Sequence, residues 1–208
     1  QEIRARDLIR SKDKNGRTLV TRKDILEEEQ RLIKQSRKGR GKLRALRGQD
    51  HLPEGPTHDA VSHLLQSKDR VTLLDTTASL DIDEVLSQLA RSYRRSIKNF
   101  SVSASGQEAR RTSGTVAALL QNEKLQRAVR GGVIWVDEAS RLGTKDAVAL
   151  LELAEKKHCR IILAGDLKRH QTTHRGTAMH LLEEHGGFKT QRTEKRPSSS
   201  LEERSLKQ

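Results

Sequence analysis

The stretch Gly131-Gly132-Val133-Ile134-Trp135-Val136-Asp137-Glu138-Ala139-Ser140 constrains the fold more than any other. Four apolar residues, Val133 to Val136, run without a polar break and end in two adjacent carboxylates. A short continuous apolar run rich in β-branched residues predicts a strand buried on both faces, as in a parallel sheet. Two more runs fit the same description, Val71-Thr72-Leu73-Leu74 and Arg160-Ile161-Ile162-Leu163-Ala164, and Lys98-Asn99-Phe100-Ser101-Val102 reads as a further strand.

Helical patterns alternate with these strands. Ala60, Val61, Leu64 and Leu65 form an i, i+4 stripe behind Thr57, read as a cap. Asp83 to Arg94 carries Val85, Leu86, Leu89 and Ala90. Gln107 to Arg111 and Thr115 to Gln121 read as helices joined near Gly114. Ala147 to Ala154 and Thr177 to Glu184 read as two more. Strand and helix thus alternate from residue 57 to 185, which predicts an α/β domain with a parallel sheet and helices on both faces. Upstream, Asn15-Gly16 between two β-prone runs predicts a hairpin. Thr21 and Asp24 are placed as the N-cap and capping-box residues of a helix ending near Ser36. The division expected is a hairpin-helix appendage with a basic linker over 1–48, the α/β domain over 49–188, and a polar tail or the start of a following segment over 189–208.

Charge narrows the partners. The 208 residues carry 41 Lys and Arg against 28 Asp and Glu, net +13. Such an excess favours polyanions, nucleic acid first and acidic membrane surfaces second. No amphipathic helix with a bulky apolar face supports the membrane, and no apolar stretch is long enough to span one. The single cysteine, Cys159, excludes an internal disulfide framework and a Cys-rich zinc site, and fits a reducing, cytoplasmic setting. It is read as a thiol at the core edge. Arg37, Lys38, Arg40 and Lys42, punctuated by Gly39 and Gly41, form a basic linker that either contacts phosphates or is a solvated connector. The first residue is Gln, which fits a piece of a longer polypeptide.

Two readings of Asp137 and Glu138 compete. One is a buried strand whose exit happens to be acidic. The other is the Walker B arrangement, in which the Asp holds Mg²⁺ and the Glu orients an attacking water. The carboxyl end of a parallel strand is where open α/β sheets place ligands.

The surrounding motifs favour the second origin. The segment 131–176 resembles the first RecA-like motor domain of superfamily-one helicases of the RecD-like type, in particular the helicase region of MobF-type conjugative relaxases. Val136 to Ser140 resembles that family's Walker B. Gly165-Asp166 resembles its Gly-Asp-x-x-Gln motif, whose Gln senses the γ-phosphate. Ser103-Ala104-Ser105-Gly106-Gln107 resembles a motif that contacts single-stranded DNA, and Thr115-Val116-Ala117 the DNA-facing motif after it. The hairpin, helix and Arg/Gly linker occur in the same order upstream of the motor core, so the resemblance covers about residues 7–196. It implies a RecA-like, P-loop NTPase fold.

Departures from the family are concentrated on the nucleotide side. A P-loop needs glycines whose backbone N–H groups wrap phosphate, a Lys, and a hydroxyl for Mg²⁺. Here Asp75-Thr76-Thr77-Ala78-Ser79-Leu80-Asp81-Ile82 follows the first core strand, with no glycine and no lysine. Asp81 takes the Lys place and Ile82 the hydroxyl place. A unit charge pair at roughly 4 Å and an effective dielectric near 20 is worth about 4 kcal/mol, so inverting the sign swings about twice that. Several powers of ten in nucleotide affinity go with it. Arg169 stands where the sensor Gln is expected, with Gln171 two residues on, and Ser105-Gly106 lacks the family's Pro. Asp137 and Glu138 are then held by geometry, with Arg141 or Arg169 as partner.

The expectation is a vestigial helicase domain that binds single-stranded DNA through Ser103, Ser105, Gly106, Gln107, Thr115 and the basic linker. It needs no cofactor, has no metal site, and takes other relaxase domains or transfer proteins as further partners. Two alternatives stand beside it: an active ATPase fragment, for which ATP and Mg²⁺ are the cofactors, and a protein-interaction scaffold in a DNA-transfer complex.

Overall fold

A computed structural model describes residues 7–12, 16–46, 57–76, 80–93, 95–103, 112–168 and 178–192. The chain opens with a two-stranded antiparallel hairpin, β1 (Leu8–Lys12) and β2 (Thr18–Arg22), and runs directly into α1 (Lys23–Lys38). The elements that follow are α2 (His58–Gln66), β3 (Val71–Asp75), α3 (Ile82–Ser92), β4 (Ile97–Ser101), α4 (Val116–Gln121), α5 (Glu123–Ala128), β5 (Val133–Asp137), α6 (Thr144–Lys157), β6 (Arg160–Gly165), α7 (Ala178–Glu184) and β7 (Thr190–Arg192). The last five strands form one parallel sheet in the order β4-β5-β6-β3-β7. This is the α/β fold, with an added hairpin, that the apolar runs predict.

Strand alternation divides the core into two layers. Val71, Leu73, Ile134, Val136, Ile161 and Leu163 point to one face, where α4, α6 and α7 cover them. Leu74, Val133, Trp135, Ile162 and Ala164 point to the other, against α2 and α3. Trp135 is fully buried there, a core residue as its place inside the strand predicts. Cys159 is buried at the start of β6, and its thiol donates to the Val129 carbonyl at 3.0 Å. No helix among the described residues is long and apolar enough to cross a membrane.

Several local details differ from the sequence reading. Thr21 does not cap α1. It pairs with Ile9 inside β2, and the strand runs on through Arg22, the residue that precedes the helix. Asp24 is held by Arg22 rather than by a capping box. Thr57 precedes α2, but its hydroxyl accepts a hydrogen bond from the Gln88 side chain on α3 instead of capping. Helix α5 has no counterpart in the sequence pattern; Asn122 caps it through the Lys124 and Leu125 N–H groups. The polar run after Lys189 contributes β7 at the sheet edge.

Helix α1 packs on α6 and α7. Its Leu32 is fully buried in the same cluster as Leu150, Leu151 and Leu182, and Arg31 pairs with Glu152 outside it. Truncating Leu32 to Ala should therefore cost about 2–5 kcal/mol in urea unfolding, as for a core leucine. The loss should fall on the same single transition that reports the sheet; an early separate transition for α1 would contradict this.

Candidate functional site at the carboxyl edge of the sheet

The ends of β3, β4, β5 and β6 converge on one edge, which carries Asp75, Ser101, Asp137 and Gly165. From adjacent β3 and β6 the chain leaves in opposite directions, β3 toward β4 and β6 toward β7. Such a switch point opens a crevice between the two strand ends. The crevice is closely tied: the Thr76 N–H donates to the Gly165 carbonyl at 3.1 Å. A Cβ at Gly165 would lie 2.6 Å from the Ser140 nitrogen, so only glycine lets β6 approach the turn that follows β5. The Gly of Gly165-Asp166 is thus a packing requirement of the edge. Asp166 next to it accepts from the Lys168 N–H at 2.8 Å.

Asp137 ends β5 half-buried, and its carboxylate accepts the Glu138 N–H at 2.9 Å. Burial pushes its pKa above the usual carboxylate range; the charges of Glu138 and Asp83 add to this, and the Glu138 N–H opposes it. Glu138 sits in the left-handed region at φ 51°, uncommon for a residue with a side chain, where a single turn of 3-10 helix, Ala139–Arg141, begins. Its carboxylate pairs with Arg141 at 3.3 Å, one of the two partners expected for this pair. The other, Arg169, lies outside the described residues, as do Gln171, Ser105, Gly106 and Gln107.

Helix α3 points its N-terminus at the same edge. The orphan N–H groups of a helix start, with the positive end of its dipole, make an anion site. Here the anion is Asp81, whose carboxylate accepts the Glu84 N–H at 3.1 Å. Ile82 is the first helical residue, and Asp83 and Glu84 add two carboxylates to the first turn. The Asp83 charge reaches Asp137 and adds to the rise in its pKa. Sequence reasoning missed Asp83; the signal was three acids within four residues at a helix start, the composition of a self-capped N-terminus. Among the described residues, no group of three His, Cys, Asp or Glu side chains is placed to hold a metal ion.

Ser103 and Thr115 lie at this carboxyl edge too. Thr115 bridges Ser101 and caps α4 by accepting the Ala118 N–H at 3.1 Å. Ser101 is buried and donates from its hydroxyl to the Ser103 carbonyl at 2.7 Å. The basic linker is elsewhere. Arg37 and Lys38 end α1, and the following turn pairs with the residues before β3: Arg70 N–H with Gly39 O at 3.0 Å, Leu43 N–H with Lys68 O at 2.9 Å. This is the amino edge of the sheet. Arg37 donates to the His185 carbonyl at 2.6 Å and Arg40 lies over the Phe188 ring at 6.0 Å, whereas Lys38 and Lys42 are exposed. Asp75, Asp81, Ile82, Asp137, Glu138, Asp166, Ser103 and Thr115 are therefore brought to one edge, and the four linker cations to the opposite one.

The raised pKa of Asp137 has a consequence for stability. The folded protein holds this proton more tightly than the unfolded chain. Its contribution is therefore lost as pH rises from the ordinary carboxylate value through the raised one, and it stays lost at neutral pH. Asp137→Asn keeps the acceptor for the Glu138 N–H and removes the charge. The variant should unfold at higher urea than the parent at neutral pH, and the two should converge below about pH 3.9. A less stable variant at neutral pH would contradict the assignment.

No curated protein matches the chain. The family model described as an AAA domain matches residues 58–196, from α2 through β7 and beyond, and so takes in every strand of the parallel sheet and the whole carboxyl edge. On that match and this fold, the chain belongs to the AAA domain family, with a helicase-like domain of the P-loop NTPase type.

Proposed function

We propose that this chain is a vestigial helicase domain of the relaxase-like type, which binds single-stranded DNA and does not hydrolyse ATP. The observation that carries the second half is the start of α3. A P-loop leaves the helix N-terminus open for phosphate and sets a lysine beside it. In this chain Asp81 fills that N-terminus from within, and Asp83 and Glu84 add two carboxylates to its first turn. The loop between β3 and α3 has neither glycine nor cation in its sequence. This donor set does not fit a nucleoside triphosphate, so no hydrolytic step is assigned to Asp137 and Glu138. Their role is to close the end of β5: Asp137 binds the next N–H, and Glu138 is anchored by Arg141.

Support for DNA rests on the net charge of +13 and on the polar groups at the end of β4. Hydroxyls and backbone N–H groups position phosphates without reading bases. The Thr115 oxygen accepts a backbone bond, which leaves its O–H to donate to a phosphate oxygen. Lys38 and Lys42 add charge from the other edge. A strand touching both sets would have to pass around the domain rather than cross one face. The placement of Asp137 and Glu138 at the carboxyl edge of the sheet keeps one other reading, an active ATPase fragment. It requires that the Asp81 cap be displaced.

Fluorescence anisotropy with labelled oligo-dT tests the DNA half. Log affinity should fall linearly with log salt, as expected where cations neutralise phosphates. Replacing Lys38 and Lys42 with Ala should flatten that slope by roughly 0.7 for each phosphate no longer neutralised on a single strand. Salt-independent binding, or none, would defeat the reading.

A further inference from the structure

The hairpin at the start of the chain has no task in the site above. Its register places cross-strand partners on common faces: Leu8 with Arg22, Arg10 with Val20, and Lys12 with Thr18 on one side; Ile9 with Thr21 and Ser11 with Leu19 on the other. On the first face every residue but Leu8 is exposed. Three of its six side chains are cations. Arg22 is held by Asp24, whereas the side chains of Arg10 and Lys12 make no ion pair or hydrogen bond to the described residues. A ribbon of two strands is marginal alone, and this one presents two cations beside an exposed apolar side chain, Val20.

We propose that the β1–β2 ribbon is a docking surface for double-helical B-form DNA, entering the major groove with Arg10 and Lys12 on phosphates. The proposal is separate from the single-strand reading and does not depend on it. Three observations select the occupant. The face is basic, so its partner is an anion. Its five-residue strands span about 17 Å and lie about 4.8 Å apart, a width that a major groove about 12 Å wide admits. The hairpin has no aromatic residue in its sequence, so it offers no platform for stacking the bases of a single strand. Val20, between the cations, has the apolar surface that meets a thymine methyl in that groove. An A-form RNA duplex has a deep, narrow major groove that would not admit the ribbon.

The test compares the full chain with an Arg10→Ala/Lys12→Ala variant by fluorescence anisotropy across a salt series. The probes are a blunt DNA duplex, an RNA duplex of the same sequence, and oligo-dT, with poly-glutamate as a protein-like polyanion. The parent should bind the DNA duplex more tightly than the RNA duplex. The variant should flatten the duplex salt slope by about 1.8, two phosphates at about 0.9 each, while its oligo-dT curve is unchanged. Arg10→Lys/Lys12→Arg should restore the slope. The proposal is overturned if the parent does not bind duplex DNA, if the duplex slope is unchanged, or if duplex and oligo-dT lose affinity equally. It is also overturned if the variant loses poly-glutamate binding while keeping duplex binding, which would assign the ribbon to an acidic protein. Absent oligo-dT binding would sink the single-strand reading alone and leave the duplex comparison readable.

Discussion

The start of a helix at the carboxyl edge of a parallel sheet is electrostatically incomplete: its first N–H groups lack partners and its dipole is positive there. Something negative has to be supplied. In this protein Asp81 supplies it, a carboxylate in the same chain, fixed to the Glu84 N–H. The surrounding edge is arranged around that choice. Asp83 and Glu84 extend the negative charge along the first turn, and Asp137 across the crevice takes up protons more readily because of its burial and its acidic neighbours. Arg141 offsets part of this by holding Glu138.

The same edge is mechanically tight. Gly165 is pressed against the turn after β5, Thr76 is bonded to Gly165, and Glu138 is held in a left-handed conformation. Strand ends this closely tied keep Asp137 and Glu138 in place whether or not a ligand binds between them. On the proposed reading, geometry inherited from a motor domain persists because the sheet needs it, while the charges that once faced phosphate are free to change sign. The amino edge has a separate logic: Arg160 donates to the carbonyls of Ser67 and Asp69, and Arg70 to those of Ala154 and Cys159. Much of the basic charge near the linker is thus engaged by backbone carbonyls.

What is legible in the sequence follows from the size of each signal. Val133–Val136, Ile161–Ala164 and Val71–Leu74 announce themselves because a strand buried on both faces has no polar alternation to hide it. Helices with a full apolar stripe, α2, α3 and α6, are equally plain. The six-residue α5 has no such stripe, and β7 is a polar edge strand, Thr-Gln-Arg, whose partner β3 lies more than a hundred residues upstream. The burial of Leu32 is invisible for the same reason, since its neighbours on α6 and α7 are remote in sequence. At the site, the sequence shows Asp81 as a charge of the wrong sign but not as a cap. The separation of the linker cations from Ser103 and Thr115 depends on where α1 ends against the sheet, which no local pattern encodes.

The carboxylate at the head of α3, Asp81, closes the helix start against phosphate. Isothermal titration of Mg-ATP into the full chain addresses it most directly. Heats indistinguishable from dilution, at concentrations that saturate an intact P-loop domain, are the expected result. A saturable isotherm for the parent chain would show that the helix start is open to phosphate after all, and would contradict the assignment of Asp81.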